Sequence, residues 1–146
     1  MTRLPPAATS VPSWKSRLAC LLYESLTIVA IIIIGLIIPH TLLGTAAGIV
    51  AGGKTLLAHL FLMLLVYFAW QWLNGGQTLA MKTWKIRLRS ADGEAVRPAQ
   101  ALLRYAVAWP GTLIFGAGFL WALIDVDKQF LHDRVAGTRL EVSPDN

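Results

Sequence analysis

Residues Arg17 to Ile38 constrain this chain most. From Leu18 to Ile38 the run carries one charge, Glu24. About twenty apolar residues cross a ~30 Å hydrocarbon layer as a helix rising ~1.5 Å per residue. An Ile/Val-rich run can form a strand in water, but in lipid an open strand edge cannot hydrogen-bond. The run is therefore predicted to be a transmembrane helix with a carboxylate inside it, and such a residue is a functional candidate. Arg17 precedes Glu24 by seven residues, close to two turns. Both are expected on one face, about 10 Å apart along the axis.

Composition agrees with a bilayer. The 146 residues are 55% hydrophobic and only 14% charged, which places the chain among membrane proteins and, by length, in one domain. The net charge of +5 would raise nucleic-acid binding in a soluble protein. Here basic residues retained on the cytoplasmic side explain it more simply, and no nucleic-acid partner is expected. Cys20 is the single cysteine, so neither an intramolecular disulfide nor a cysteine-based metal site is expected. The basic start, with Arg3, Lys15 and Arg17, resembles a signal peptide. Its apolar run exceeds the ~7–15 residues of an h-region, so a retained span is favoured.

In chain order, residues 1–16, with Pro5, Pro6 and Pro12, are expected to be a disordered tail. Trp14 and Lys15 mark an interface. The first span is expected to end at Pro39-His40. Residues 41–55 are read as a flexible loop, although Gly44, Gly48 and Gly52 at intervals of four also suit close helix approach. Gly48 to Thr55 matches the P-loop expression in full. It lacks the preceding strand and acidic partner such a loop needs, so no nucleotide is expected.

Leu56–Leu73 is the second predicted span. It holds His59, a candidate proton carrier or a neutral packing residue, and ends in Trp70 and Trp72, read as an aromatic belt. Asn74 to Thr78 is a turn. Residues 82–104 then hold Lys82, Lys85, Arg87, Arg89, Arg97 and Arg104 against Asp92 and Glu94, while the first inter-span loop holds only Lys54. The N-terminus and residues 74–104 are therefore expected in the cytoplasm. Trp84–Arg89 alternates like a short strand, and Asp92-Gly93 reads as a turn. Ala101–Ile124 is the third hydrophobic segment, either one kinked span or two re-entrant halves broken at Pro110-Gly111. The end of the chain holds Asp125, Asp127, His132 and Asp133. A metal site is one reading of these; a solvated acidic tail is preferred. Thr138–Val142 alternates again and could pair with Trp84–Arg89 if both share one side. The expected fold is all-α, membrane-embedded, with short cytoplasmic β-like segments. Residues 17–142 form the domain, and 143–146 a C-terminal tail.

Four stretches together resemble the RDD family. Arg17-Leu-Ala-Cys-Leu-Leu-Tyr-Glu24 is similar to its first-helix motif, in which an aspartate follows the arginine by seven residues. Gly76-Gln-Thr-Leu-Ala-Met-Lys82 resembles its G-x-T-x-G-K segment, and Gln100-Ala-Leu-Leu-Arg104 the start of its last hydrophobic region. His132-Asp-Arg-Val-Ala-Gly-Thr138 resembles its closing H-D-x-x-A-G-T. The chain departs from the pattern at Glu24, which replaces aspartate, and at Ala80, which stands where glycine is usual. The resemblance implies an integral membrane protein of bacterial inner-membrane type and suggests transport of a small ligand or ion.

Two functions follow as expectations. In one, Glu24, paired with Arg17 or Arg104, handles an ion or small ligand, with an oligomer enclosing the route. In the other, Arg17, Glu24, Arg104 and Asp133 form a structural network in a membrane scaffold. His59 and His132 are secondary candidates. Catalysis, a metal and a cofactor are not expected, because no nucleophile–base pair or metal motif is readable.

Overall fold

The computed structural model describes residues 10–114 and 116–143. The first helix starts earlier and ends later than its hydropathy suggests. α1 (Trp14–Ile32) passes through a π-helical segment (Ile33–Ile37) into α2 (Ile38–Ala47), a continuous 34-residue rod about 51 Å long. The expected stop at Pro39 is absent for a physical reason. Proline removes one i→i−4 hydrogen bond and crowds the carbonyl four residues earlier. The π segment shifts the ladder by one residue, with the Ile38 N–H donating to Ile33, so the proline is absorbed at the start of α2. The rod ends where Gly48 takes a left-handed φ of 66°.

Of the expected N-terminal tail, residues 1–9 lie outside the described residues, as do 144–146 of the C-terminal one. Residues 10–16 are engaged. The Ser10 carbonyl accepts the Val142 N–H at 3.0 Å, Pro12 is buried, and the Ser13 hydroxyl accepts the Ser16 N–H to cap α1.

α3 (Gly53–Leu73) returns antiparallel to the rod. Glu24 meets Tyr67, Gly35 faces Met63, and the His40 and His59 rings lie 5.1 Å apart. The rod and α3 are both long and apolar enough to cross a membrane, and none of the rod's most apolar window is buried. Leu26, Ile34, Leu42, Leu62 and Val66 all point outward, as lipid-facing side chains do.

α4 (Leu79–Thr83) leads into β1 (Ile86–Ser90). α5 (Pro98–Leu113) and α6 (Ala117–Leu120), the latter extended by a 3-10 turn to Leu123, form a pair bent by 105°. The break is not at Pro110-Gly111, as expected. Pro110 stays inside α5, and its carbonyl accepts the Ile114 N–H. The turn comes at Gly116, whose φ is 70°. Gly111 serves the fold-back instead: a Cβ there would lie 3.2 Å from Gly118 Cα, so the two glycines let the arms close on each other.

α7 (Leu131–Ala136) and β2 (Thr138–Val142) complete the described chain. β2 pairs antiparallel with β1, Leu88 opposite Leu140 and Ser90 opposite Thr138. The alternating stretches thus meet, and the bent pair between them begins and ends beside the same two-stranded sheet. Gln100 ties this arrangement together. Its amide donates to Ser90 Oγ and to the Gly137 carbonyl, both at 3.0 Å, while its oxygen accepts the Arg97 N–H that opens α5.

Candidate functional site

Three polar groupings emerge from the predicted residues. The first is centred on Arg104, and in it the second Asp133 oxygen, Oδ2, is buried without a hydrogen-bond partner among the described residues. Arg104, on α5, donates from Nε to Asp133 Oδ1 at 2.6 Å and from Nη2 to His132 Nε2 at 3.2 Å. Its guanidinium lies over the Trp72 ring, 4.2 Å from the centroid. Arg104, His132 and Asp133 are 8%, 5% and 1% exposed, so His132 and Asp133 of the expected solvated tail lie in the interior, whereas Asp127 is exposed. The reason is local charge: a buried guanidinium requires a carboxylate, and α7 brings Asp133 to it. Trp72 is likewise not a belt residue, being 4% exposed, whereas Trp70 at 67% is. Arginine can only donate, so His132 Nε2 accepts and its proton sits on Nδ1. Burial, reinforced by the Arg104 charge and opposed by Asp133, lowers the His132 pKa to about 4.

The second grouping surrounds Glu24. The Tyr67 hydroxyl donates to Oε1 at 3.1 Å, and the Thr78 hydroxyl to Oε2 at 2.5 Å. The expected arginine pairing of Glu24 is replaced by these two hydroxyls, because Arg104 is already matched by Asp133. Arg17 is 4% exposed and donates from Nη1 to the Lys128 carbonyl. Its guanidinium lies 5.3 Å from the Phe130 ring centroid. Lys128 itself takes a left-handed φ of 54°, and its carbonyl faces α1. Arg17 and Glu24 share a face as expected, and both line one cavity of about 560 Å³. Its other walls come mainly from α3 and α5, including Phe68, Tyr105 and Trp109, and from Phe130 and His132.

The third grouping is remote. His59 pairs with His40, whose Nδ1 donates to the Leu36 carbonyl at 2.9 Å. It lies far along α3 from Glu24. Asp125 and Asp127, once candidates for a metal set, both pair with Arg134, at 2.9 and 3.1 Å. Among the described residues no group of three or more metal-ligating side chains converges. The Gly48–Thr55 stretch joins α2 to α3, so a helix and not a strand leads into it.

A family model described as the RDD family matches residues 11–137. The chain belongs to the RDD family. Searches of curated proteins and of solved structures each gave no match. Within this RDD protein, two residues of the Glu24 grouping escaped the sequence reading. Thr78 lay inside the Gly76–Lys82 stretch that resembles a family segment, which was the available signal. Tyr67 carried none, since an aromatic residue in an apolar helix reads as packing. The coarse architecture is a mostly helical, membrane-type protein with two candidate spans, or three if the bent pair counts as one.

Proposed function

We propose that this RDD protein is a multi-pass protein of a bacterial inner membrane that binds and moves a small ligand or ion through the cavity bearing Arg17 and Glu24. One observation carries the reading: two oppositely charged side chains from one helix line a single cavity of about 560 Å³, large enough for a small ligand. The Arg104–Asp133–His132 cluster fixes α5 and α7, and its Arg104 and His132 line the cavity beside Arg17 and Glu24. In this reading the protein is not an enzyme and takes no cofactor. Its N-terminus and residues 74–104 face the cytoplasm, where the basic residues from Lys82 to Arg97 are retained. The bent pair re-enters from that side, because β1 and β2 flank it. The outward apolar faces of the rod and α3 meet lipid or a second copy in a homo-oligomer.

The scaffold alternative draws on the same cluster, since paired buried charges fix helix register. The deciding experiment is flux in proteoliposomes under an imposed pH difference. Transport predicts a ΔpH-driven flux that Glu24→Gln and Arg17→Gln each abolish while the protein still reconstitutes. Absence of flux from well-folded parent protein, across protons and alkali cations, would favour the scaffold.

A further inference from the structure

The ligand class can be narrowed by asking which charge in the cavity is left for a guest. Arg104, which also lines the cavity, is paired with Asp133 at 2.6 Å and stacked on Trp72. Arg17 donates from Nη1 to the Lys128 carbonyl and lies over the Phe130 ring, with its buried Nε unpartnered among the described residues. Glu24 is held by two hydroxyls, which orient a carboxylate without cancelling its charge. Facing α1 across the cavity is an aromatic wall. Phe68 and Tyr105 have centroids 6.3 Å apart, Tyr105 and Trp109 6.0 Å, and all three line the space. Aromatic faces attract cations, the more so when water is excluded. The protein already uses this attraction twice, for Arg17 and Arg104.

We propose that the cavity recognises a lipophilic organic cation, with Glu24 as its counter-ion and Phe68, Tyr105 and Trp109 as its wall. Arg17 repels such a guest from the α7 end, so the cationic centre belongs beside Glu24 and the apolar body toward Ile28 and Ala108. The proposal rests on the reading of Arg17 and Glu24 as a ligand site and deepens it by naming the ligand's chemistry. A strongly hydrated metal cation fits poorly, because the walls are almost wholly apolar and few oxygen ligands surround Glu24.

Tetraphenylphosphonium and tetraphenylborate make a matched pair of probes, alike in shape and opposite in charge. Binding of each to the purified full chain in detergent is measured by equilibrium dialysis, with protein-free micelles subtracted. The parent protein is expected to bind the phosphonium at least about tenfold more tightly than the borate, the effect of one favourable ion pair. Glu24→Gln should remove that preference. Ala108→Phe, which fills the space and leaves every charge in place, should weaken binding of the phosphonium and keep any residual preference for it. Tighter borate binding, lost in Arg17→Gln, would overturn the proposal and make the site anionic. Equal binding of both probes, indifferent to Glu24→Gln, would also overturn it and leave a cleft for acyl chains. Phosphonium binding without flux would defeat only the transport reading, and proton or alkali-cation flux without phosphonium binding only the ligand class.

Discussion

Thr78 donates its hydroxyl to Glu24 Oε2, joining residues 54 apart in the chain. The same oxygen accepts the Met81 N–H at 3.2 Å and so caps α4. One buried side chain, 1% exposed, thus starts the helix after the turn and orients the carboxylate of the first span. This couples the Gly76–Lys82 segment to the Arg17–Glu24 face in physical terms. Neither motif is complete alone.

Replacing Thr78 with valine should therefore remove two interactions at nearly constant volume. A hydrogen bond to a carboxylate contributes roughly 1.5–3 kcal/mol and an N-cap about 1. The Thr78→Val variant is expected to lose about 2–4 kcal/mol in denaturant unfolding from micelles. Thr78→Ser, which keeps the hydroxyl, should stay within about 1 kcal/mol of the parent. A greater loss in Thr78→Ser than in Thr78→Val would point to packing of the methyl group instead.

Breaking the Arg104–Asp133 pair from one side leaves a charge stranded in the interior. Asp133→Asn or Arg104→Gln alone is expected to cost about 3–5 kcal/mol. The double variant should lose less than the sum, with a coupling of at least about 1 kcal/mol. Unfolding curves of the four proteins give that coupling directly, and simple additivity would show that the two groups act separately.

His132 gives the protein a specific weakness toward acid. Its folded pKa of about 4 lies below the ordinary histidine value of 6.5, so the folded state binds fewer protons than the unfolded chain between them. Protonation then favours unfolding. Stability should be full above about pH 6.5 and fall as pH drops toward 4, by about 3 kcal/mol in all. Carboxylates also titrate below pH 5, so the comparison belongs between pH 7 and 5. There the stability difference between parent and His132→Gln should shift in favour of the variant as pH falls. A pH-independent difference would mean that the imidazole is solvated.

The membrane helices were legible because a twenty-residue apolar run has few other fates. Their ends were not. Pro39 looked like a stop because a proline normally costs a helix its hydrogen bond, and a π segment that absorbs it leaves no sequence mark. The two strands were visible by alternation, and their pairing awaited the knowledge that α5 and α6 fold back on Gly111 and Gly118. The charges Arg17, Glu24, Arg104 and Asp133 stood out by rarity in an apolar chain. Which carboxylate meets which arginine depends on how α7 docks, and that is tertiary information. Tyr67 stayed hidden because its hydroxyl gains meaning only from the carboxylate across the helix pair.

Gly76 tests the turn that delivers Thr78. Its φ is 71°, and a Cβ there would collide with the Leu88 carbonyl oxygen, which is part of β1. The Gly76 carbonyl also accepts the Leu88 N–H at 2.7 Å. Left-handed backbone alone costs a residue with a side chain roughly 1–2 kcal/mol. Gly76→Ala is expected to exceed that, because backbone cannot step aside as a flexible side chain would. Gly75→Ala, where a Cβ meets nothing within 4 Å, should cost less despite its φ of 111°. Thermal melts of the two variants check the order, and a reversal would mean that β1 yields at Leu88.

The β1–β2 pairing also fixes an observable of topology. Strands hydrogen-bonded to each other occupy one compartment, so Glu94, just after β1, and Val142, in β2, must be reached from the same side. The basic residues from Lys82 to Arg97 argue that this side is the cytoplasm, with Lys54 on the other. Single cysteines at Glu94, Val142 and Lys54, each exposed, can be placed in a Cys20→Ala background, since the native thiol is buried. A membrane-impermeant maleimide added to intact cells should label Lys54→Cys alone. Added to inverted vesicles, it should label Glu94→Cys and Val142→Cys. Labelling of Glu94→Cys and Val142→Cys from opposite sides would break the sheet and make the bent pair a plain crossing. Labelling of all three in the reverse sense would keep the sheet and invert the orientation, so the two parts of the expectation fail separately. A re-entrant α5–α6 would also keep Arg104 and the Glu24 carboxylate at the same end of the rod, which is where the cavity needs them.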